Sequence, residues 1–167
     1  KQVHVRGGAI LPLQQPKMTV ADTHASPFNL LVALNEAYNA CVRAFAASLL
    51  LFLIPLRLGS YSVQHSTGSL FFEAGDDLQV GSRSLLVDFS VTANTLRSVV
   101  RAHSLPAAPP ALASLSVVGT ESAQITRVTV DGQAVPSAQV SFDAARRLLT
   151  VTGLAIDLRR AFTVAWS

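Results

Sequence analysis

The sequence predicts an all-β chain folded as an antiparallel β-sandwich, and three observations carry that expectation. Leu85, Val87, Phe89 and Val91 alternate with Leu86, Asp88, Ser90 and Thr92, the period of two that sets one strand face on a core and turns the other to water. From Leu70 onward, short apolar runs recur at roughly ten-residue spacing with turn residues between them and no helical period. Asp131-Gly132 suits a two-residue hairpin, because both positions tolerate positive φ.

The elements follow in order. Val3 and Val5 alternate with His4 and Arg6, which predicts an opening strand with a polar outer face in preference to an anion-binding edge. After the strand around Phe89, Asn94 is a turn residue, and Leu96 to Ala102 reads as the returning strand, with Arg97 and Arg101 on one face. Pro106, Pro109 and Pro110 withdraw backbone donors, so Leu105 to Ser114 is expected as a loop. Leu115 to Val118, Ile125 to Val130, Val135 to Phe142, Leu148 to Val151 and Phe162 to Trp166 supply the later strands. In the last of these Phe162, Val164 and Trp166 face one way, and Trp166 is the expected core anchor.

Composition bounds the rest. Of 167 residues, 50% are hydrophobic and 14% charged, far from the balance that keeps a chain disordered. A chain of this length buries roughly 70% of the surface its unfolded form exposes, so one core, or one and a fraction, is expected. The net charge of +3 is scattered and lacks the basic face with interleaved aromatics of a nucleic-acid binder. Cys41 is the single cysteine, which excludes an intrachain disulfide and a thiolate cluster. His4, His24, His65 and His103 never reach the i, i+4 spacing of a helical metal site. The chain opens at Lys1 with no leader pattern and is read as part of a longer polypeptide.

Two N-terminal runs are more specific. Val3 to Gln14, VHVRGGAILPLQ, and Ser26 to Glu36, SPFNLLVALNE, resemble the stretch of glycoside hydrolase family 31, the α-glucosidase family, that joins the β-domain behind the catalytic barrel to the terminal one. Thr67 to Gly81, TGSLFFEAGDDLQVG, is similar to that family's aromatic strand and acidic turn, with Ala74 where the family carries an acidic residue. The resemblance runs on, more loosely, through VTVDGQAV and LLTVTGLAIDL to FTVAWS. It divides the chain into the end of a proximal β-domain with the entry strand of the distal domain (1–36), an atypical insertion (37–67) and a distal β-sandwich (68–167).

Within the insertion, Ala44 to Leu56 is apolar apart from one serine and bracketed by Arg43 and Arg57. A helix of that length reaches about 20 Å, short of a hydrocarbon core of about 30 Å. Three readings stay open: a translated intron or other gene-model error, a buried or interfacial helix, and membrane association.

The resemblance implies a parent enzyme that hydrolyses terminal α-linked glucose or a related sugar with retention, needs no cofactor, and works in a secretory, vacuolar, lysosomal or extracellular setting. It also implies that this chain carries none of the chemistry. The family's barrel signature, Trp-x-Asp-Met-Asn-Glu, has no match, since the single tryptophan is Trp166 and the single methionine Met18. Asp76 and Asp77 are adjacent, so on a strand they diverge to opposite faces and cannot flank one glycosidic bond. Glu73 with Asp76 falls short of the six to eight oxygens of a calcium site, and there is no G-x-S-x-G elbow. No residue is therefore assigned a catalytic, cofactor-binding or metal role. The expected partner is the missing (β/α)8 barrel. The alternative is a stand-alone carbohydrate-binding or membrane-associated sandwich module.

Overall fold

A computed structural model describes residues 4–35, 65–73, 83–120 and 124–167. In chain order the elements are β1 (Ile10–Gln14), α1 (Val20–His24), β2 (Phe28–Ala33), β3 (His65–Glu73), β4 (Ser84–Thr92) and β5 (Thr95–His103). There follow β6 (Leu112–Val118), β7 (Val128–Val130), β8 (Gln133–Ala134), a 3-10 turn (Ser137–Gln139), β9 (Val140–Asp143), β10 (Leu148–Val151) and β11 (Thr163–Trp166). They form a five-stranded sheet in the order β1-β2-β6-β10-β9 and a six-stranded sheet in the order β3-β4-β5-β11-β7-β8. A β-sandwich results, as the alternation around Phe89 predicts.

One core lies between the sheets. Leu30, Val32, Leu115, Val117, Leu149 and Val151 come from the five-stranded sheet; Leu85, Val87, Phe89, Val91, Leu96 and Val164 meet them from the other. Each such side chain contributes roughly 1.5–3 kcal/mol on leaving water. Trp166 joins them at 3% exposure, and its neighbours Thr163 and Ala165 face outward, so the last strand is as expected. The β4–β5 hairpin turns at Ala93 and Asn94, both with positive φ, and the β7–β8 hairpin at Asp131 and Gly132. Both are two-residue turns with the left-handed conformations that match strand twist.

The sheets also close on each other along one side. β1 crosses the start of β3, with Ala9 bridged to Thr67 and the Thr67 amide donating to the Gly8 carbonyl at 3.0 Å. The crossing is so tight that a Cβ on Gly68 would fall on the Ile10 carbonyl oxygen and 2.8 Å from the Ile10 Cβ. Glycine is thus required there for close approach of two backbones.

Several expectations are corrected. The opening strand does not run through His4 and Arg6: Val5 is exposed and without regular structure. Gly8 at φ 89° turns the chain, and the first bond to β2 is the one its own amide donates to the Ala33 carbonyl at 2.8 Å. The helix α1 was not foreseen, although Thr19-Val20-Ala21-Asp22 carries its signal: the Thr19 hydroxyl accepts the Asp22 amide at 3.1 Å and donates to the Asp22 carboxylate at 2.7 Å, a local capping pair. β6 begins at Leu112, three residues inside the expected loop, because all three prolines lie upstream of it. The expected strand at Ile125 is confined to Val128–Val130, since the amides of Thr126 and Arg127 both go to the carbonyl of Ser167. Pro136 and the 3-10 turn divide the expected strand at 135–142. One pair departs from the antiparallel expectation: β2 runs parallel to β6, from Phe28 beside Leu112 to Ala33 beside Val118.

β1 and β2, assigned by sequence to residues 1–36, share a sheet with β6, β10 and β9. His65, Ser66 and Thr67, assigned to the insertion, open β3. The apolar run at 44–56 lies outside the described residues. Its flanks are informative, because Asn35 and His65 are bridged antiparallel, so the described positions on either side of 36–64 are neighbours. Loop-closure cost grows only with the logarithm of length, about 0.6 kcal/mol per doubling. Replacing 36–64 with a four-residue turn is therefore expected to keep the fold and to raise stability by up to about 2 kcal/mol. Urea denaturation checks this, and a deleted form that no longer unfolds cooperatively would refute it.

Candidate functional site

Carboxylates are the groups a sugar-cleaving site would need, and the described ones are spent on the fold. Asp22 caps α1. Asp88 on β4 takes the Arg101 guanidinium at 2.7 Å across the outer face of β5. Asp131 accepts the Thr163 amide at 2.7 Å, tying the β7–β8 turn to β11. Asp143 accepts the Arg146 amide at 3.1 Å inside the β9–β10 hairpin. Asp157 holds the Arg159 backbone amide and guanidinium together, with contacts of 2.7 to 3.2 Å. Glu73 ends β3 and is itself engaged. Asp76 and Asp77 lie outside the described residues, so the expected geometry of that turn is not reached.

Asp157 shows what such a contact does. Hydrogen bonds from the Arg159 side chain and backbone hold its pKa down from 3.8 to about 2 against a small opposing effect of burial. A folded-state pKa below the unfolded one stabilises the fold above pH 3.8, and that contribution disappears as pH falls through about 2. Both side chains are a third exposed, so the effect is small. Asp157→Asn is expected to lower stability slightly and by the same amount at every pH above about 4, pH 7 included, with the difference from the parent closing as pH falls from 4 to 2, so that the acid limb is flatter. Denaturation midpoints across that range test it; an unchanged acid limb would count against the pairing.

Hollows flank this framework, and two of them lie beside the sheets. The first, about 340 Å³, lies where β1, α1 and β2 meet β3, between Gln14, His24, Phe28, Phe72 and Glu73. Its aromatic rings face one another: Phe72 stands 5.6 Å from the His24 ring and 5.7 Å edge-on from Phe28. The Gln14 amide donates to the carbonyls of His24 and Ser26 at 3.2 and 2.8 Å, holding the β1–β2 connection closed. The second hollow is a shallow depression on the outer face of the six-stranded sheet, along Ser69, Asp88, Ser90, Val99 and Arg101. Phe71 is the one phenylalanine, tyrosine or tryptophan among the described residues that shows more than half its surface to water, at 54%.

His4 and Arg6 are both exposed. No group of three or more His, Cys, Asp or Glu converges among the described residues. No helix among them is long and apolar enough to cross a membrane. Sequence reading missed one feature, the outer face of the five-stranded sheet, where Leu11, Leu13 and Val118 are 37%, 46% and 39% exposed. Its signal lies in apolar residues on both alternating faces of β1 and β2.

Comparison with known proteins gives a consistent answer. No sequence-family model matches the chain. An α-glucosidase of Schizosaccharomyces pombe is 33% identical over 167 residues, covering 99% of this chain and 14% of the relative. A second protein of that yeast, described as an uncharacterized family 31 glucosidase, is 28% identical over the same share of each. The chain thus spans about a seventh of the length of these relatives. Among solved structures, the glucosidase II alpha subunit, in its Glc1Man2-bound form, superposes with a TM-score of 0.63 at 15% identity, over 97% of this chain and 17% of that one. That likeness is one of fold.

Proposed function

Because the chain is an α-glucosidase-like C-terminal region of glycoside hydrolase family 31, we propose that it is a non-catalytic β-sandwich that supports the catalytic part of a larger enzyme. That enzyme would hydrolyse terminal α-linked glucose or a related sugar. The observation that carries the reading is the pairing of nearly complete coverage of this chain with 14% coverage of the α-glucosidase: the whole sandwich corresponds to a small part of an enzyme. The fate of the described carboxylates supports it. Retaining hydrolysis needs two carboxyl groups about 5–5.5 Å apart across a sugar, whereas Asp22, Asp88, Asp131, Asp143 and Asp157 each serve a cap, turn or ion pair on a different element.

The sandwich contributes stability by burying apolar surface against its partner, at about 25 cal/mol per Å². Expressed alone, the chain is expected to release no chromophore from a chromogenic α-glucoside above a buffer blank. A family 31 polypeptide containing the chain is expected to be active and to lose thermal stability when the chain is deleted. Hydrolysis by the isolated chain at the rate of a complete enzyme would overturn the proposal.

A further inference from the structure

The ladder between β11 and β7 ends with one atom standing in for another. Val164 pairs with Val130, so the next pair in antiparallel register is Thr163 with Asp131. An ordinary pair at that point exchanges two backbone hydrogen bonds. One of them is made, from the Asp131 amide to the Thr163 carbonyl at 2.8 Å. The other goes to a side chain: at φ 49° the Asp131 backbone has already entered the β7–β8 turn, and the Thr163 amide donates to Asp131 Oδ1 at 2.7 Å. The carboxylate thus takes the place of a main-chain carbonyl.

Gly132 makes the same carboxyl group a target. Asp131-Gly132 is the single Asp-Gly pair of the sequence, it is exposed, and there is open space where a Cβ on Gly132 would stand. With no side chain on the following residue, the ring closure that links aspartate to the next backbone nitrogen meets its least steric resistance. The Gly132 nitrogen bonds to Asp131 Cγ, and its proton leaves with the carboxyl hydroxyl as water, giving a five-membered succinimide. Water then adds to the former main-chain carbonyl carbon of Asp131, and the bond from that carbon to the Gly132 nitrogen breaks. The chain now runs through Cγ. The product is an isoaspartate of unchanged composition, with one more methylene in the backbone and its carboxylate on the old carbonyl carbon.

We propose that Asp131 is an isoaspartate-forming modification site that the folded sheet holds shut: the Thr163 amide keeps Cγ away from the Gly132 nitrogen, and isomerisation proceeds when β11 parts from β7. The pairing of Val130 with Gln133 also restrains the turn. β8, however, is two residues long at the edge of the sheet, so the bond to β11 is the stronger restraint. The change runs one way. Once the carboxylate has moved to the old carbonyl carbon, the Thr163 amide has lost its acceptor and the ladder ends one pair earlier. This inference is independent of the scaffold reading above.

The test ages the chain at one pH and temperature, in buffer and in denaturing urea, and follows isoaspartate at position 131 by peptide mapping with isoaspartyl methyltransferase labelling. The unfolded chain is expected to accumulate it at least about ten-fold faster, because the folded chain reacts only through local opening. Thr163→Pro removes the donor and leaves Asp131-Gly132 intact, and proline is tolerated at the first residue of a strand. Folded, this variant is expected to isomerise about five-fold faster than the parent. Asp131→Gly, which suits the positive φ, reads the same bond from its other end and does not depend on the proline variant folding. In it the Thr163 amide is expected to exchange with solvent about ten-fold faster than in the parent. Equal isoaspartate rates in the folded and unfolded chain would overturn the proposal. So would a folded Thr163→Pro variant no faster than the parent, or a Thr163 amide whose exchange is the same with and without the Asp131 side chain.

Discussion

Gly68→Ala is expected to abolish cooperative folding, or to remove more than about 3 kcal/mol of the 5–15 kcal/mol typical of a domain. The new methyl group would meet the Ile10 carbonyl oxygen and lie 2.8 and 2.9 Å from the Ile10 Cβ and carbonyl carbon. Two of those three atoms are backbone, so no rotamer change relieves the contact, and the crossing of β1 over β3 must open. Opening it also breaks the Thr67 amide to Gly8 carbonyl bond and withdraws Ile10, 2% exposed, from the core. Gly132→Ala is the matched comparison: at φ 81°, with open space where its Cβ would go, it should cost only about 1 kcal/mol through backbone conformation. Urea melts followed by far-UV circular dichroism separate the two. If Gly68→Ala unfolds at the same midpoint as Gly132→Ala, the crossing is looser than described.

Trp166 gives the second large effect, in a form that divides volume from polarity. The side chain is 3% exposed, and its indole N–H is buried with no hydrogen-bond partner among the described residues. Trp166→Ala is expected to cost about 3–5 kcal/mol through the cavity it leaves. Trp166→Phe keeps most of the volume and removes a desolvated donor whose burial costs about 1–3 kcal/mol, so its net cost is expected to stay below about 1 kcal/mol. Denaturant unfolding of the two variants at one pH decides. A phenylalanine variant as unstable as the alanine one would mean that the N–H has a partner in the folded protein.

The parts of this fold legible in sequence were those set by local rules. Alternation on β4 and β11, and the Asn94 and Asp131-Gly132 turns, depend on residues adjacent in sequence, and the structure places them as expected. Contacts between distant segments were not legible. Nothing near Phe28 announces that β2 will run parallel to β6, because a strand's own pattern records which face is buried and not which neighbour it pairs with. The strand expected at Val3–Arg6 follows the same logic in reverse: Val5 alternates correctly, but Gly7 and Gly8 turn the chain as pairing begins. Leu112 and Ala113 were read as loop because prolines crowd the segment, although Leu112 is fully buried and β6 needs it beside Phe28.

The family was legible from residue identity in two N-terminal runs, and the exposure of part of those runs was not. Leu11 and Leu13 belong to the same run that identifies the family, yet only the register of β1 against β2 shows that they stand on the outside of the sandwich.

The parallel pairing of β2 with β6 has a consequence for biosynthesis. The neighbour of position 28 is position 112, so the central ladder of the smaller sheet cannot zip until the whole β3–β5 meander has left the ribosome. Until then β2 offers an apolar strand with one edge unsatisfied, the kind of intermediate that chaperones hold. Such distant partners predict acquisition of structure on the millisecond-to-second scale rather than in microseconds.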